Sequence, residues 1–142
     1  MKRTWTLEDA LETLHNLSET QKPLWGQMSA QRMVEHLTDT LWVAAGKTKL
    51  PLVIPEEKVP KMQAWLETEK QMAQNIQVEF AKPETPIRNE SMELALDEFS
   101  EAWILFDEAF EEEDHRTNHP YYGMLNKFQW LLLHGKHLNH HF

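Results

Sequence analysis

Residues 92–110 read MELALDEFSEAWILFDEAF, and this stretch decides the fold. Its bulkiest apolar side chains recur at intervals of four, three, four, three and four residues. That alternation places them on one stripe of an α-helix, as in helices packed side by side in a bundle. We expect Asn89 to cap this helix, and the acidic run at 111–114 to end it, because acids are unfavourable at the negative end of the helix dipole. The stripe consists of Met92, Leu96, Phe99, Trp103, Phe106 and Phe110.

Two more helices are predicted upstream of this stretch. The first spans Leu7–Ser18 and repeats leucine every three or four residues, with Thr6 as its N-cap. The second spans Ala30–Ala45, between the N-cap Ser29 and the helix-stopping Gly46. Each helix carries one apolar stripe, so both are expected to bury that stripe in a shared core.

The C-terminal region predicts a last helix that runs from near Gly123 to the end of the sequence. The residues 119–123, HPYYG, precede it as a turn. One face of this helix is predicted to hold Leu125, Phe128 and Leu132. Because apolar residues also occupy its other sides, the helix is expected to lie at the centre of the bundle.

Residues 47–90 break the helical pattern with five prolines. A short helix over Glu57–Glu69 is predicted within them, since its apolar residues share one face. The remainder is expected to form a long connection across the bundle, and such connections often border functional sites. The sequence therefore predicts an all-α domain that spans 1–142, built on four main helices.

Composition narrows the function classes. The 142 residues contain no cysteine, which excludes disulfides and thiolate metal sites. The formal charge is −9 and the basic residues are scattered, so neither nucleic acid nor an anionic membrane surface is an expected partner. No apolar run approaches the ~18 residues of a membrane span, and no signal peptide is recognisable. We expect a soluble, cytoplasmic protein.

The histidines are the candidate chemical groups. Four of the eight fall in the last nine residues, and His137 and His141 are four apart, so on a helix they lie on one face. Two imidazoles at that spacing can bind one metal ion, with His36 of the second helix as a third ligand from across the bundle. Three imidazoles leave positions open for water or substrate, and their softness favours zinc or nickel, with iron or copper as alternatives.

An alternative interpretation of the histidine pair remains open, because a pair at this spacing more often forms the polar edge of an amphipathic helix. We expect Trp130 to pack in the core, although it could floor a pocket. The remaining histidines are predicted to lie outside the site: His134 and His140 at a solvated edge, His15 and His115 on the surface, and His119 bracing the turn before the last helix.

Three stretches carry a family resemblance. Residues 23–37, PLWGQMSAQRMVEHL, the turn at 119–123, HPYYG, and residues 136–141, KHLNHH, resemble motifs of the DinB-like (DinB/YfiT) superfamily, closest to a branch known only as a domain of unknown function. The resemblance implies a four-helix bundle with up-down-down-up connectivity, in which 47–90 is the crossover between the second and third helices. It also implies a three-histidine metal site of His36, His137 and His141, and homodimers.

Three functions are weighed. The first is a metal-dependent enzyme: the resemblance implies a transferase with a low-molecular-weight thiol as cosubstrate, while a water acidified by the ion would make it a hydrolase acting on a small molecule. The alternatives are a non-catalytic metal- or small-molecule-binding accessory or stress protein, and a dimerising bundle with vestigial histidines. No general base is identifiable. Glu35 is expected to face away from His36, while Asp39 or Asp107 could orient a ligating histidine.

Overall fold

The structure, a computed structural model, describes residues 4–16, 29–70, 86–112 and 114–141, except for the side chains of His140 and His141. The described part is mostly helical and contains one small β-hairpin. Its helices are α1 (Leu7–His15), α2 (Ala30–Ala45), α3 (Val59–Leu66), α4 (Met92–Ala109) and α5 (Lys127–His141), and its strands are β1 (Thr117–His119) and β2 (Gly123–Leu125).

The predicted stripe on α4 forms the centre of the core. α2 packs along α4 over much of its length. The rings of Phe99 and Trp103 lie 5.9 Å apart, and those of Trp103 and Phe106 lie 6.2 Å apart, which are distances typical of packed aromatic pairs. Every member of the stripe is buried except Phe110, which is half-buried at the C-terminal end of the helix. The prediction of a buried seam is confirmed.

Local capping signals fix α1 and α2 as predicted. The Thr6 hydroxyl accepts a hydrogen bond from the Asp9 amide, and the Asp9 carboxylate accepts one from the Thr6 amide, which completes a capping box. Ser29 caps α2, and Gly46 ends it at a φ of 85°, a value that glycine adopts without strain. α1 ends at His15, earlier than the predicted Ser18, which lies outside the described residues.

The start of α4 differs from the prediction. Ser91, not Asn89, is the N-cap, and its hydroxyl accepts a hydrogen bond from the Leu94 amide at 3.2 Å. The Asn89 side chain instead donates to Glu35 on α2. A cap is chosen by local geometry, but Asn89 lies two residues upstream of the first turn and has a long-range partner that the sequence pattern does not reveal.

A β-hairpin replaces the predicted first turn of the last helix. β1 and β2 pair antiparallel, with His119 opposite Gly123, so the predicted turn at 119–123 is the hairpin turn. α5 therefore begins at Lys127, later than predicted. Asn126 caps it: its side chain accepts from the Gln129 amide, and the Gln129 side chain accepts from the Asn126 amide, both at 2.9 Å. Phe128, in the first turn of α5, is 51% exposed, so the prediction that it belongs to a buried face is wrong.

The hairpin is held by the chain that follows α2. The Val53 amide donates to the Pro120 carbonyl, and the Gln63 side chain donates to the carbonyls of Tyr122 and Met124. The predicted short helix is confirmed in shorter form as α3, behind a 3-10 turn at Glu56–Lys58. Residues 71–85 of the predicted crossover lie outside the described residues. Among the helices that the structure describes, none has the length and apolarity needed to cross a membrane.

Candidate metal centre

Two predicted ligands, distant in sequence, meet between α2 and α5. The Nε2 atoms of His36 and His137 lie 2.8 Å apart, although 101 residues separate them. The two rings are almost perpendicular, with an interplanar angle of 87° and centroids 4.5 Å apart. His36 is 3% exposed and His137 is half-buried, so His137 is the more accessible of the two rings.

The distance fits two states of this pair. A neutral imidazole can donate from one Nε2 to the other, for which 2.8 Å is an ordinary hydrogen-bond length. Two nitrogens that each bind an ion at ~2.05 Å lie about 2.9 Å apart at a right angle and about 3.3 Å apart in a tetrahedron. The observed separation is therefore compatible with cis ligands of one metal ion after a small displacement.

The third predicted ligand is His141. Its backbone lies in α5, one helical turn beyond His137, but its side chain is outside the described residues. Among the side chains that the structure describes, no group of three histidine, cysteine, aspartate or glutamate residues could hold a metal ion. The structure thus brings together His36 and His137, and the complete triad stays a prediction.

Glu35 faces away from His36, as expected, and has a structural role. It is fully buried and accepts hydrogen bonds from the amides of Arg88 and Asn89, at 2.9 and 3.0 Å, and from the Asn89 side chain at 3.0 Å. Burial raises the pKa of this carboxyl, but the hydrogen bonds outweigh burial and the net pKa is lowered. Glu35 therefore attaches residues 88–89 to α2 as a carboxylate.

The two aspartates predicted to orient a histidine do not do so. Asp39 pairs with Arg88 at 3.1 Å, and more distantly with Arg32 at 3.9 Å. Burial raises the pKa of Asp39 against the lowering effect of both arginines. Asp107 pairs with Lys127 at 3.3 Å on the surface. Both predictions are wrong, because each carboxylate pairs with a basic residue from outside its own helix, Arg88 or Lys127. The sequence pattern of the helix does not indicate such a partner.

His134 lies in the core instead of at the predicted solvated edge. Its ring contacts Trp103, Phe106 and Trp130, at centroid distances of 5.8, 5.0 and 5.7 Å. Burial, with a contribution from nearby His119, lowers the pKa of His134 to about 3. The prediction failed because α5 is apolar on several sides, so its polar residues do not mark a solvent face. Trp130 is buried as predicted.

The other histidines mostly follow the predictions. His119 braces the hairpin turn, where its Nδ1 accepts a hydrogen bond from the Tyr121 amide at 3.0 Å. Burial lowers the pKa of His119 to about 3. His15 is exposed, but His115 packs against Phe110 with centroids 4.6 Å apart and is half-buried, which corrects its surface assignment. The side chain of His140 is outside the described residues.

Sequence reasoning missed the charged residues around Asp39. Arg32 is 2% exposed, and none of its guanidinium nitrogens makes a hydrogen bond within the described part of the chain. Arg88 donates to the Glu35 carbonyl and pairs with Glu98 at 2.7 Å. The available signal was the position of Arg32 in the sequence, one helical turn before His36 among the apolar residues of α2.

Comparison with known proteins adds no relative. No family model, no curated protein and no solved structure matches this chain.

Proposed function

We propose that this chain is a DinB-like protein that binds one divalent metal ion, zinc or nickel, through His36, His137 and His141. The observation that carries the proposal is the 2.8 Å approach of the His36 and His137 Nε2 atoms. Two imidazoles from helices far apart in sequence meet at the distance of cis ligands, and the third histidine is one helical turn along the same helix.

The arrangement of the helices supports the family proposal. α2 and α5 carry the histidines of two of the resembling motifs, and the HPYYG motif forms the hairpin turn just before α5. The up-down-down-up connectivity and the crossover over 47–90 remain part of the proposal. A cytoplasmic location is also part of the proposal.

The proposed activity is transfer of a low-molecular-weight thiol to a small molecule, or hydrolysis of a small molecule. A divalent ion held by neutral imidazoles keeps its full charge and supplies Lewis-acid chemistry that lowers the pKa of a thiol or water. The half-buried side of His137 leaves an approach for such a ligand. Glu35 accepts a hydrogen bond from the Arg88 amide and Asp39 pairs with the Arg88 side chain, so neither carboxylate is proposed as the general base.

One observation favours the second candidate, a non-catalytic protein that acts as a homodimer. Ile104 and Phe128 are about half exposed, and Leu105 is 37% exposed. Exposed apolar side chains that form one contiguous patch often mark a protein contact, and a dimer contact through these three residues is part of this second candidate function. Light scattering of the purified chain measures its mass, and a dimer that Ile104→Glu splits without changing metal content would support this function independently of catalysis.

Metal content by elemental analysis tests the main proposal. Wild type, His137→Ala and the matched surface control His15→Ala are purified without a His tag and incubated with zinc or nickel. We expect about one ion per chain in wild type and the control, and its loss in His137→Ala. A wild type that holds no metal would show that His36 and His137 form only a hydrogen bond. Metal binding without thiol transfer or hydrolysis would favour the non-catalytic function.

A further inference from the structure

Arg32 is buried without the hydrogen bonds that a buried guanidinium requires. Its side chain is 2% exposed, and in the described part of the chain its Nε, Nη1 and Nη2 atoms lack hydrogen-bond acceptors. A guanidinium carries five N–H donors, and a buried charge is costly unless it is both paired and hydrogen-bonded. Its ion pair with Asp39 is long, at 3.9 Å.

The carboxylates near Arg32 already bond to Arg88 or to the backbone at residues 88 and 89. Arg88 approaches Asp39 at 3.1 Å and Glu98 at 2.7 Å, and the amides of residues 88 and 89 donate to Glu35. Arg32 and Arg88 therefore share acidic groups that bond mainly to Arg88. An additional anion, supplied by a ligand, could accept hydrogen bonds from Arg32 without breaking the bonds of Arg88.

Helix geometry places the Arg32 guanidinium beside His36. Asp39 follows Arg32 by seven residues, roughly 10.5 Å along the axis, so a side chain of Arg32 that reaches within 3.9 Å of Asp39 must extend along α2 to about the level of His36. Positions 32, 36 and 39 lie within about 60° of one another around the helix. The guanidinium and the imidazole thus occupy one face at a similar level.

We propose that Arg32 is the anchor of an oxyanion site, which binds the carboxylate or phosphate group of a small ligand next to His36. Guanidinium binds both groups through paired N–H donors. The oxyanion site depends only on Arg32, whereas its position next to a metal ion rests on the proposed function. A ligand held at both points would carry its anionic group on Arg32 and present a second donor group toward His36 and His137.

Side-chain NMR of ¹⁵N-labelled protein tests the site directly. The Nε–H signal of Arg32 is assigned by its loss in Arg32→Lys, and succinate, phosphate and sodium chloride of matched ionic strength are titrated separately. We expect succinate or phosphate to shift this signal saturably, with a dissociation constant of about 1–10 mM, and sodium chloride not to shift it. The two anions distinguish a carboxylate site from a phosphate site. The signal of exposed Arg116 is the internal control.

A second variant separates the site from the metal. In Arg32→Met the Nε–H signal is gone, so anion binding is followed by the backbone amide signals of α2 in both proteins, and we expect it to be at least tenfold weaker in the variant. The variant should not have a lower melting temperature without anion, because the buried charge that it removes makes no hydrogen bond. Its metal content should equal that of wild type. Anion binding in a wild type that holds no metal would preserve the site and refute the metal centre. An Arg32 signal that ignores both anions, or that shifts only as Arg116 does, would overturn the oxyanion site.

Discussion

The Nε2 atom of His36 lies 2.8 Å from the Nε2 atom of His137, and this polar contact joins α2 to α5. The buried faces of both helices combine apolar residues with buried polar side chains, among them Arg32, Glu35 and His134. Without an ion, the Nε2 atom of one imidazole must accept a hydrogen bond from the other. To bind a metal ion, both imidazoles must be neutral and both Nε2 atoms must be unprotonated. If the proposed ion binds here, this contact links the stability of the fold to metal.

Metal should stabilise the protein through this contact. An ion that binds only the folded state, at a free concentration 100-fold above its dissociation constant, adds about 2.7 kcal/mol, or roughly 5–10 °C in Tm for a domain of this size. Thermal unfolding with zinc and with a chelator measures the shift. His36→Ala should abolish it, while His15→Ala should retain it. An equal zinc effect in His36→Ala would place the ion elsewhere.

Acid should destabilise the fold through two of its buried histidines, His119 and His134. The folded pKa values of His119 and His134 are lowered from 6.5 to about 3. Between those values the unfolded chain binds protons that the folded chain does not, so stability is complete above pH 6.5 and is lost as the pH falls. At pH 5 the loss is about 2 kcal/mol for each histidine.

Urea unfolding of His134→Phe at pH 7.5 and pH 5 measures that contribution. The substitution suits the site, because the His134 ring already packs among aromatic rings and its buried Nε2 makes no hydrogen bond in the described structure. We expect the acid-induced loss of stability to shrink by about 2 kcal/mol relative to wild type. His15→Gln, at an exposed position, should leave it unchanged. An identical loss in His134→Phe and wild type would contradict the burial of a neutral His134.

The sequence predicted those features that depend on neighbours along the chain. The capping box of Thr6, the Ser29 cap and the Gly46 stop each require only residues within one helical turn. The α4 stripe was predictable for the same reason, since periodicity alone selects the buried face. The meeting of His36 and His137 was predictable once the two helices were expected to pack together.

Features set by contacts between distant residues could not be predicted. Asn89 is a good cap by type, but the buried Glu35 on another helix takes its side chain. The hairpin has three-residue strands, too short to show an alternating pattern, and is held by Val53 and Gln63 from the preceding segment. The burial of His134 could not be predicted either, because α5 has no single apolar stripe that would distinguish its buried side from its solvent side.

The α4 seam should dominate stability. Phe99 and Trp103 are buried at 1% and 3% exposure, so truncation of either to alanine leaves a cavity in the core. We expect Phe99→Ala or Trp103→Ala to lower the free energy of unfolding by about 3–5 kcal/mol, as measured by urea denaturation. Glu101→Ala on the exposed side of the same helix is the matched control and should change it by less than about 0.5 kcal/mol. A loss below ~1 kcal/mol for Phe99→Ala would contradict the placement of α4 in the core.

Glu35→Gln should loosen the junction between α2 and the residues before α4. The carboxylate accepts from two backbone amides and the Asn89 side chain, whereas a glutamine would turn an N–H donor toward at least one of these donors. A buried bond to a charged acceptor contributes about 1.5–3 kcal/mol, so we expect a loss of that size in urea unfolding at pH 7.5. Glu93→Gln, in the exposed first turn of α4, removes the same charge without these bonds and should cost less than about 0.5 kcal/mol.

Hydrogen exchange then locates the effect: the amides of residues 88 and 89 should exchange faster in Glu35→Gln, while the Leu94 amide, bonded to Ser91, should keep its protection. Uniformly faster exchange across α4 would show instead that Glu35 stabilises the whole fold and not this junction.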